Sequence, residues 1–151
     1  MAQVSSPCPL FKSIDDNGNE FNLAHYIKKK TIVIFFYPKD NTPGCTAEAC
    51  GFRDNYSKFL DLDCKLIGIS SDSVESHQNF KSKYNLPFTL LTDPYLKIRS
   101  LFQVPSNLFG LIPGRVSYVI DKDGIIKGIF NSQLNPKSHV SKTINCIESI
   151  L

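Results

Sequence analysis

An unbroken β-branched and aromatic run from Thr31 to Tyr37 predicts a strand covered on both faces. It stops at Pro38 and gives way to the turn-forming stretch Lys39-Asp40-Asn41-Thr42-Pro43-Gly44. From Cys45 the apolar positions recur at 45, 49, 52, 56 and 59/60, a 3.6-residue stripe that predicts a helix to about Leu60. Lys65 to Ser70 is the next buried strand, so the three elements form a strand–helix–strand unit with parallel strands and a right-handed crossover. Upstream, Leu10 to Ile14 and Glu20-Phe21 flank Asp16-Asn17-Gly18-Asn19, a hairpin with an Asn-Gly turn, and Asn22 is placed to cap a short helix to Lys29. Downstream, Val74, His77, Phe80 and Tyr84 mark a second helical stripe, followed by a short strand from Phe88 to Leu91. Asp93-Pro94 opens a helix through about Phe102. Val116 to Ile120 and Ile125 to Phe130 are strands joined by Asp121-Lys122-Asp123-Gly124, a link short enough to require antiparallel pairing. Asn135-Pro136 caps a last helix with Val140, Ile144, Ile147 and Leu151 on its apolar side, while Pro105 to Gly114 reads as a partly exposed loop. Strands and helices in this order predict one three-layer α/β domain over residues 1–151, with a mixed central sheet.

Composition narrows the function. The chain has 151 residues with 42% hydrophobic and 21% charged side chains, enough to bury a core without a disulfide or metal staple. The net charge of +3 is largely local, in Lys28-Lys29-Lys30, which reads as a solvated helix end rather than a nucleic-acid footprint. No apolar run approaches the ~20 residues of a membrane span, and Met1 to Pro9 has no secretory pattern. Five cysteines, at positions 8, 45, 50, 64 and 146, form neither a Cys-x-x-Cys pair nor a secreted disulfide framework, which points to a reducing compartment. Cytoplasm, or an organelle stroma after removal of a transit peptide, is the expected location. No metal site or cofactor is expected, since no Cys, His or carboxylate set has ligand spacing. His25, His77 and His139 read as surface or helix-packing residues.

Candidate chemistry centres on two thiols. Cys45 falls where a helix begins, and the unpaired N–H groups there favour an anion. A guanidinium nearby can bring a cysteine pKa into the range ~3.5–7.5. Of the three arginines, Arg53, Arg99 and Arg115, the last is best placed, because it follows a Pro-Gly turn and opens a strand. Arg53 lies two turns along the same helix. The Thr42 hydroxyl can donate to a bound substrate, and Pro43 shields the thiolate. Cys50, five residues on, sits ~7.5 Å further along an intact helix, beyond disulfide reach unless the helix start unwinds. A reactive thiolate with a second thiol nearby suits peroxide oxidation to a sulfenic acid, capture by the neighbour, and reduction by an external dithiol.

Tyr37-Pro38-Lys39-Asp40-Asn41-Thr42-Pro43-Gly44-Cys45-Thr46 and Phe52-Arg53-Asp54 resemble the active-site signature of the peroxiredoxins, and among them the peroxiredoxin Q or bacterioferritin comigratory group. Gly68-Ile69-Ser70, Leu86 to Asp93, Leu108-Phe109-Gly110 and Pro113 to Asp121 extend the resemblance over nearly the whole chain, nearest to plant and cyanobacterial members. It implies a thioredoxin-like fold and a thiol-dependent peroxidase acting on hydrogen peroxide and organic hydroperoxides. By the same resemblance Cys45 is the peroxidatic cysteine, Cys50 the resolving cysteine, and Pro38, Thr42, Pro43, Gly44 and Arg115 the substrate site. The implied enzyme is an atypical two-cysteine monomer recycled by thioredoxin or a similar dithiol. Cys8, Cys64 and Cys146 match no role. Two alternatives stay open: a one-cysteine peroxidase with Cys50 idle, and a peroxide-sensing relay or chaperone-like protein.

Overall fold

The computed structural model describes residues 2–107, 112–132 and 135–151. β1 (Lys12–Asp15) and β2 (Glu20–Asn22) form the expected hairpin, with Lys12 opposite Asn22 and Ile14 opposite Glu20. Its turn is built by Asp15, whose carboxylate accepts from the Asn17 and Asn19 amides, and by Gly18 at a φ of 80°. Asn22 caps only a 3-10 turn, Leu23–His25, by accepting from the Ala24 amide. β3 (Thr31–Phe36) leads into α1 (Pro43–Asp54) and α2 (Tyr56–Asp61), and β4 (Cys64–Ser70) follows. The predicted single helix to Leu60 is thus two helices. They part at Asn55, whose side-chain amide donates to the Gly51 carbonyl and whose backbone leaves the helical region.

α3 (Val74–Tyr84) begins at a Ser73 cap and ends at a left-handed Asn85, and β5 (Thr89–Thr92) comes next. The helix predicted from Asp93 is shorter, α4 (Lys97–Leu101). Asp93 still acts as its cap, accepting from the Ile98 and Arg99 amides, but Leu96 is left-handed and keeps Pro94 and Tyr95 in a turn. β6 (Ser106–Asn107) and β7 (Ile112–Pro113) pair across part of the segment read as a loop, whose residues Leu108, Phe109 and Leu111 lie outside the described residues. β8 (Val116–Ile120) and β9 (Ile126–Asn131) are antiparallel as expected. α5 (Ser138–Ser149) starts three residues after Asn135, which instead closes a turn through its carbonyl to the Ser138 amide.

The main sheet has the order β2-β1-β5-β4-β3-β8-β9. β3 pairs parallel with β4 and β4 with β5, while β8 runs antiparallel to β3, so the sheet is mixed. Alternation along β3 divides the core. Val33, Phe35 and Tyr37 face the layer of α1, α2, α3 and α5, where Phe52, Phe59, Phe80, Val140 and Ile144 are buried. Ile32, Ile34 and Phe36 face a thinner cover of Leu23, Phe11, Ile98 and Phe102. The three layers are therefore uneven, with most of the helical mass on the face that carries Cys45.

Candidate active site

α1 springs from the loop at the carboxyl end of β3. Thr42 is its N-cap in extended conformation and Pro43 its first residue, so Cys45 sits in the first turn, where backbone N–H groups lack intrahelical partners. Pro43 has no N–H to leave unpaired and its fixed φ suits that position. The Thr42 hydroxyl donates to the Lys39 carbonyl (3.0 Å) and its own carbonyl accepts from the Thr46 amide. Cys45 is 1% exposed. Arg115, immediately before β8, is 3% exposed and reaches across, with Nη2 3.4 Å from Cys45 Sγ. Gly44 makes that approach possible, because a Cβ there would lie 3.0 Å from Arg115 Nη2. Gly114 is equally constrained, since a Cβ would run into the Pro105 carbonyl.

The same guanidinium serves a second acid. Arg115 Nη1 donates to Glu48 Oε1 at 2.8 Å, and Glu48 is 0% exposed. Burial pushes the Glu48 carboxyl up to about 8, against the opposing pull of Arg115. Glu48 and Cys45 together hold the Arg115 pKa above its ordinary value despite desolvation. Behind Glu48 lies His139 of α5, its Nδ1 3.5 Å from Oε2 and 2.7 Å from the Ser117 hydroxyl. His139 Nε2 is 3.0 Å from the Ser132 carbonyl, and burial lowers its pKa. Among the described residues, Glu48 Oε2 and Arg115 Nε find no hydrogen-bond partner.

A second buried network braces the other side of the loop. Tyr37 donates to Asp40 Oδ1 (2.6 Å), while His77 Nδ1 (2.7 Å) and the Ser76 hydroxyl (2.9 Å) reach Oδ2. The Asp40 amide and the Ser70 hydroxyl donate to Asp72 Oδ2. Asp40, Asp72 and His77 thus come within 4.8 Å of one another, a cluster that sequence spacing does not reveal. Its donors and acceptors are already matched to one another, so the arrangement reads as a brace rather than a cation cage. Arg99 fastens the two strand ends that frame the site, donating to the Gly114 (2.7 Å) and Tyr37 (3.1 Å) carbonyls and lying 5.5 Å from the Phe36 ring.

Residues 4–129 match the AhpC/TSA family. The chain belongs to that family. A peroxiredoxin Q of rice, Oryza sativa subsp. japonica, named as chloroplastic, is 45% identical over 145 residues, covering 96% of this chain and 66% of the relative. The chain therefore spans about two thirds of that relative's length. Among solved structures, the peroxidoxin BcpB of Mycobacterium tuberculosis superposes with a TM-score of 0.91 at 28% identity, over 100% of this chain and 99% of the other. The bacterioferritin comigratory protein of Xanthomonas campestris, studied for alkyl peroxide reduction, gives 0.84 at 25% identity, over 93% and 91%. The resemblance drawn from the motif is met, and with it the thioredoxin-like α/β fold.

Within this AhpC/TSA framework the sequence-selected residues fall into two groups. Pro38, Thr42, Pro43 and Gly44 lie on the loop and α1 start that lead into Cys45, and Arg115 reaches Cys45 Sγ from just before β8. Cys50 lies on the same continuous helix, half-buried, with its thiol free. Five residues of helix carry it ~7.5 Å along the axis and ~140° around it, so the two thiols do not meet in this state. Arg53 turns away, donating to the Tyr84 carbonyl and Asp54. Burial pushes the Cys8 and Cys64 thiols up to about 12, and raises Cys146 as well. Sequence reasoning missed Glu48, His139 and Arg99. Glu48 had a signal: a carboxylate three residues after Cys45, within the apolar stripe of 45, 49 and 52, must be buried with the rest of that face.

Proposed function

We propose that this chain is a thiol peroxidase, acting as one domain, that reduces hydrogen peroxide and organic hydroperoxides through Cys45. The observation that carries this reading is the approach of Arg115 Nη2 to Cys45 Sγ, 3.4 Å, at an unpaired helix N-terminus. Cation and backbone dipoles both favour a thiolate there. Attack by that sulfur on the peroxide breaks the O–O bond and leaves a sulfenic acid and an alkoxide or hydroxide. Arg115, the Thr42 hydroxyl and the first-turn N–H groups stabilise the departing charge. Thr42 needs only to turn from the Lys39 carbonyl towards substrate. The alkyl peroxide chemistry studied for the Xanthomonas protein supports including organic hydroperoxides.

Cys50 then condenses with the sulfenic acid, releasing water, once the start of α1 has opened. A thioredoxin or similar dithiol returns both thiols by exchange. The protein works as a monomer in a reducing compartment, the cytoplasm or an organelle stroma; the chloroplastic naming of the rice relative supports the second. Peptide mapping after one equivalent of peroxide tests the scheme. A monomer carrying a Cys45–Cys50 bridge is the expected product. A persistent sulfenic acid at Cys45 with normal turnover would make Cys50 idle and the enzyme one-cysteine. A stall after a single oxidation, in the presence of thioredoxin and its reductase, would make the protein a sensor.

A further inference from the structure

Arg115 faces two buried acids, and it carries one positive charge. Nη1 holds Glu48 Oε1 at 2.8 Å and Nη2 lies 3.4 Å from Cys45 Sγ. With thiolate and carboxylate both ionised, this buried spot would hold a net negative charge, a costly state in a low dielectric. The far side of Glu48 shows where the balance is kept. Oε2 points at His139 Nδ1, 3.5 Å away, and has no hydrogen-bond donor. His139 Nε2 faces the Ser132 carbonyl, so Nε2 carries the ring proton, and the single lone pair of Nδ1 lies between the Ser117 hydroxyl and Glu48 Oε2, open to a proton from either. An ionised Oε2 would therefore look onto a lone pair. One proton between the two atoms removes both the repulsion and the excess charge.

We propose that the Glu48–His139 pair holds one proton while Cys45 is a thiolate, and releases it when peroxide turns that sulfur into a neutral sulfenic acid. The inference rests on Cys45 being the peroxide-reactive thiol. The step balances. Thiolate and hydroperoxide form an S–O bond and break the O–O bond; the sulfur is oxidised by two electrons and the leaving oxygen is reduced by two. The alkoxide takes up a proton to become an alcohol, and the pair gives one up. Before the step Arg115 pairs with the thiolate beside a neutral Glu48. After it, Arg115 pairs with the Glu48 carboxylate beside a neutral sulfur. The buried charge is the same on both sides of the reaction, so the departing oxygen is neutralised with no net proton drawn from solvent. The charged and titratable groups bearing on the pair are Arg115 before β8, Cys45 on α1 and Lys142 on α5. Burial first, then Arg115 and Lys142, opposes a proton on His139, whereas at Glu48 burial outweighs the opposing pull of Arg115, so the proton rests on Glu48.

Glu48 and His139 act here through Arg115, as positioning residues rather than groups that touch substrate. A merely structural role would leave proton stoichiometry unchanged, so that is the quantity to read. Reduced protein in weak buffer at neutral pH is mixed with one equivalent of hydrogen peroxide, without thioredoxin. Proton uptake is followed with an indicator dye, and Cys45 oxidation is followed by mass in the same sample. Any later condensation with Cys50 releases only water and adds no proton. The intact protein should take up close to no proton per Cys45 oxidised, and Glu48→Gln about one. Equal uptake by the two proteins, whether one or none, overturns the proposal. Infrared difference spectra of the unsubstituted protein need no variant: oxidation should remove a protonated carboxyl band and add carboxylate bands, and an unchanged carboxyl region overturns it. Failure of Cys45 to oxidise at all would instead overturn the peroxidase reading beneath it.

Discussion

Two buried histidine–carboxylate pairs flank the start of α1, and they are built differently. In one, His77 Nδ1 sits 2.7 Å from Asp40 Oδ2 and Nε2 3.0 Å from the Leu91 carbonyl. Both ring nitrogens meet acceptors, and Asp40 is further filled by Tyr37 and Ser76. In the other, His139 and Glu48 stand 3.5 Å apart, and Glu48 Oε2 and the nearby Arg115 Nε lack partners. A network whose buried polar atoms all lie within bonding distance of partners gains rigidity. An open one costs stability and is kept where charge has to change during chemistry. The lesson is that the first pair is built to hold the loop, while the second leaves room for the proton proposed above.

The comparison can be broken from either side. The largest effect expected is from Cys45→Ser, which should bring peroxide consumption to background while the protein stays folded; retained turnover in a coupled assay would remove the site altogether. Asp40→Ala strips an acceptor from Tyr37, Ser76 and His77 at once. Denaturant unfolding should show a loss of about 3–5 kcal/mol, the scale for a broken buried pair, and a small loss would make the brace ornamental. Arg115→Met should slow the first oxidation by about 10²-fold, as for removal of one anion-stabilising donor. Stopped-flow kinetics of the peroxide step would reveal the change, and an unaltered rate would move the anion-stabilising role to another group.

The last effect is a slope. Glu48 is an acid whose folded pKa, about 8, exceeds its ordinary value of 4.5 because of burial. Between those values the native state binds a proton that the unfolded chain has lost, so stability falls as pH rises through this window and levels off above it. Glu48→Gln cannot ionise and should flatten that decline in urea midpoints measured from pH 5 to 8. Equal slopes in the two proteins would place the proton elsewhere.

Much of this was legible in the chain because hydrophobic period and local turn chemistry act over short range. β3 and β8 read directly as apolar runs, and the Asn-Gly turn and the Cys45 loop as breaker clusters. Arg115 was reachable because a Pro-Gly turn aims the strand that follows it. Helix ends were less legible. The stripe through Tyr56 and Phe59 continues past Asn55 because both helices bury the same face, and periodicity does not register the backbone break between them. The Asp40–His77 and Glu48–His139 pairs join residues 37 and 91 positions apart in sequence. Such contacts depend on how helices pack on the sheet, which spacing along the chain does not encode.

The break at Asn55 has a consequence for any opening that lets Cys50 reach Cys45. Helix melting propagates residue by residue only while the hydrogen-bond ladder is continuous. Asn55 interrupts that ladder after the 12 residues of α1, and beyond it Phe59 holds α2 in the core, its ring 5.6 Å from Phe52 at the far end of α1. For the opening proposed above, Asn55 is placed as a firebreak: melting that starts at Pro43 and takes in both thiols would meet the break before it reached α2.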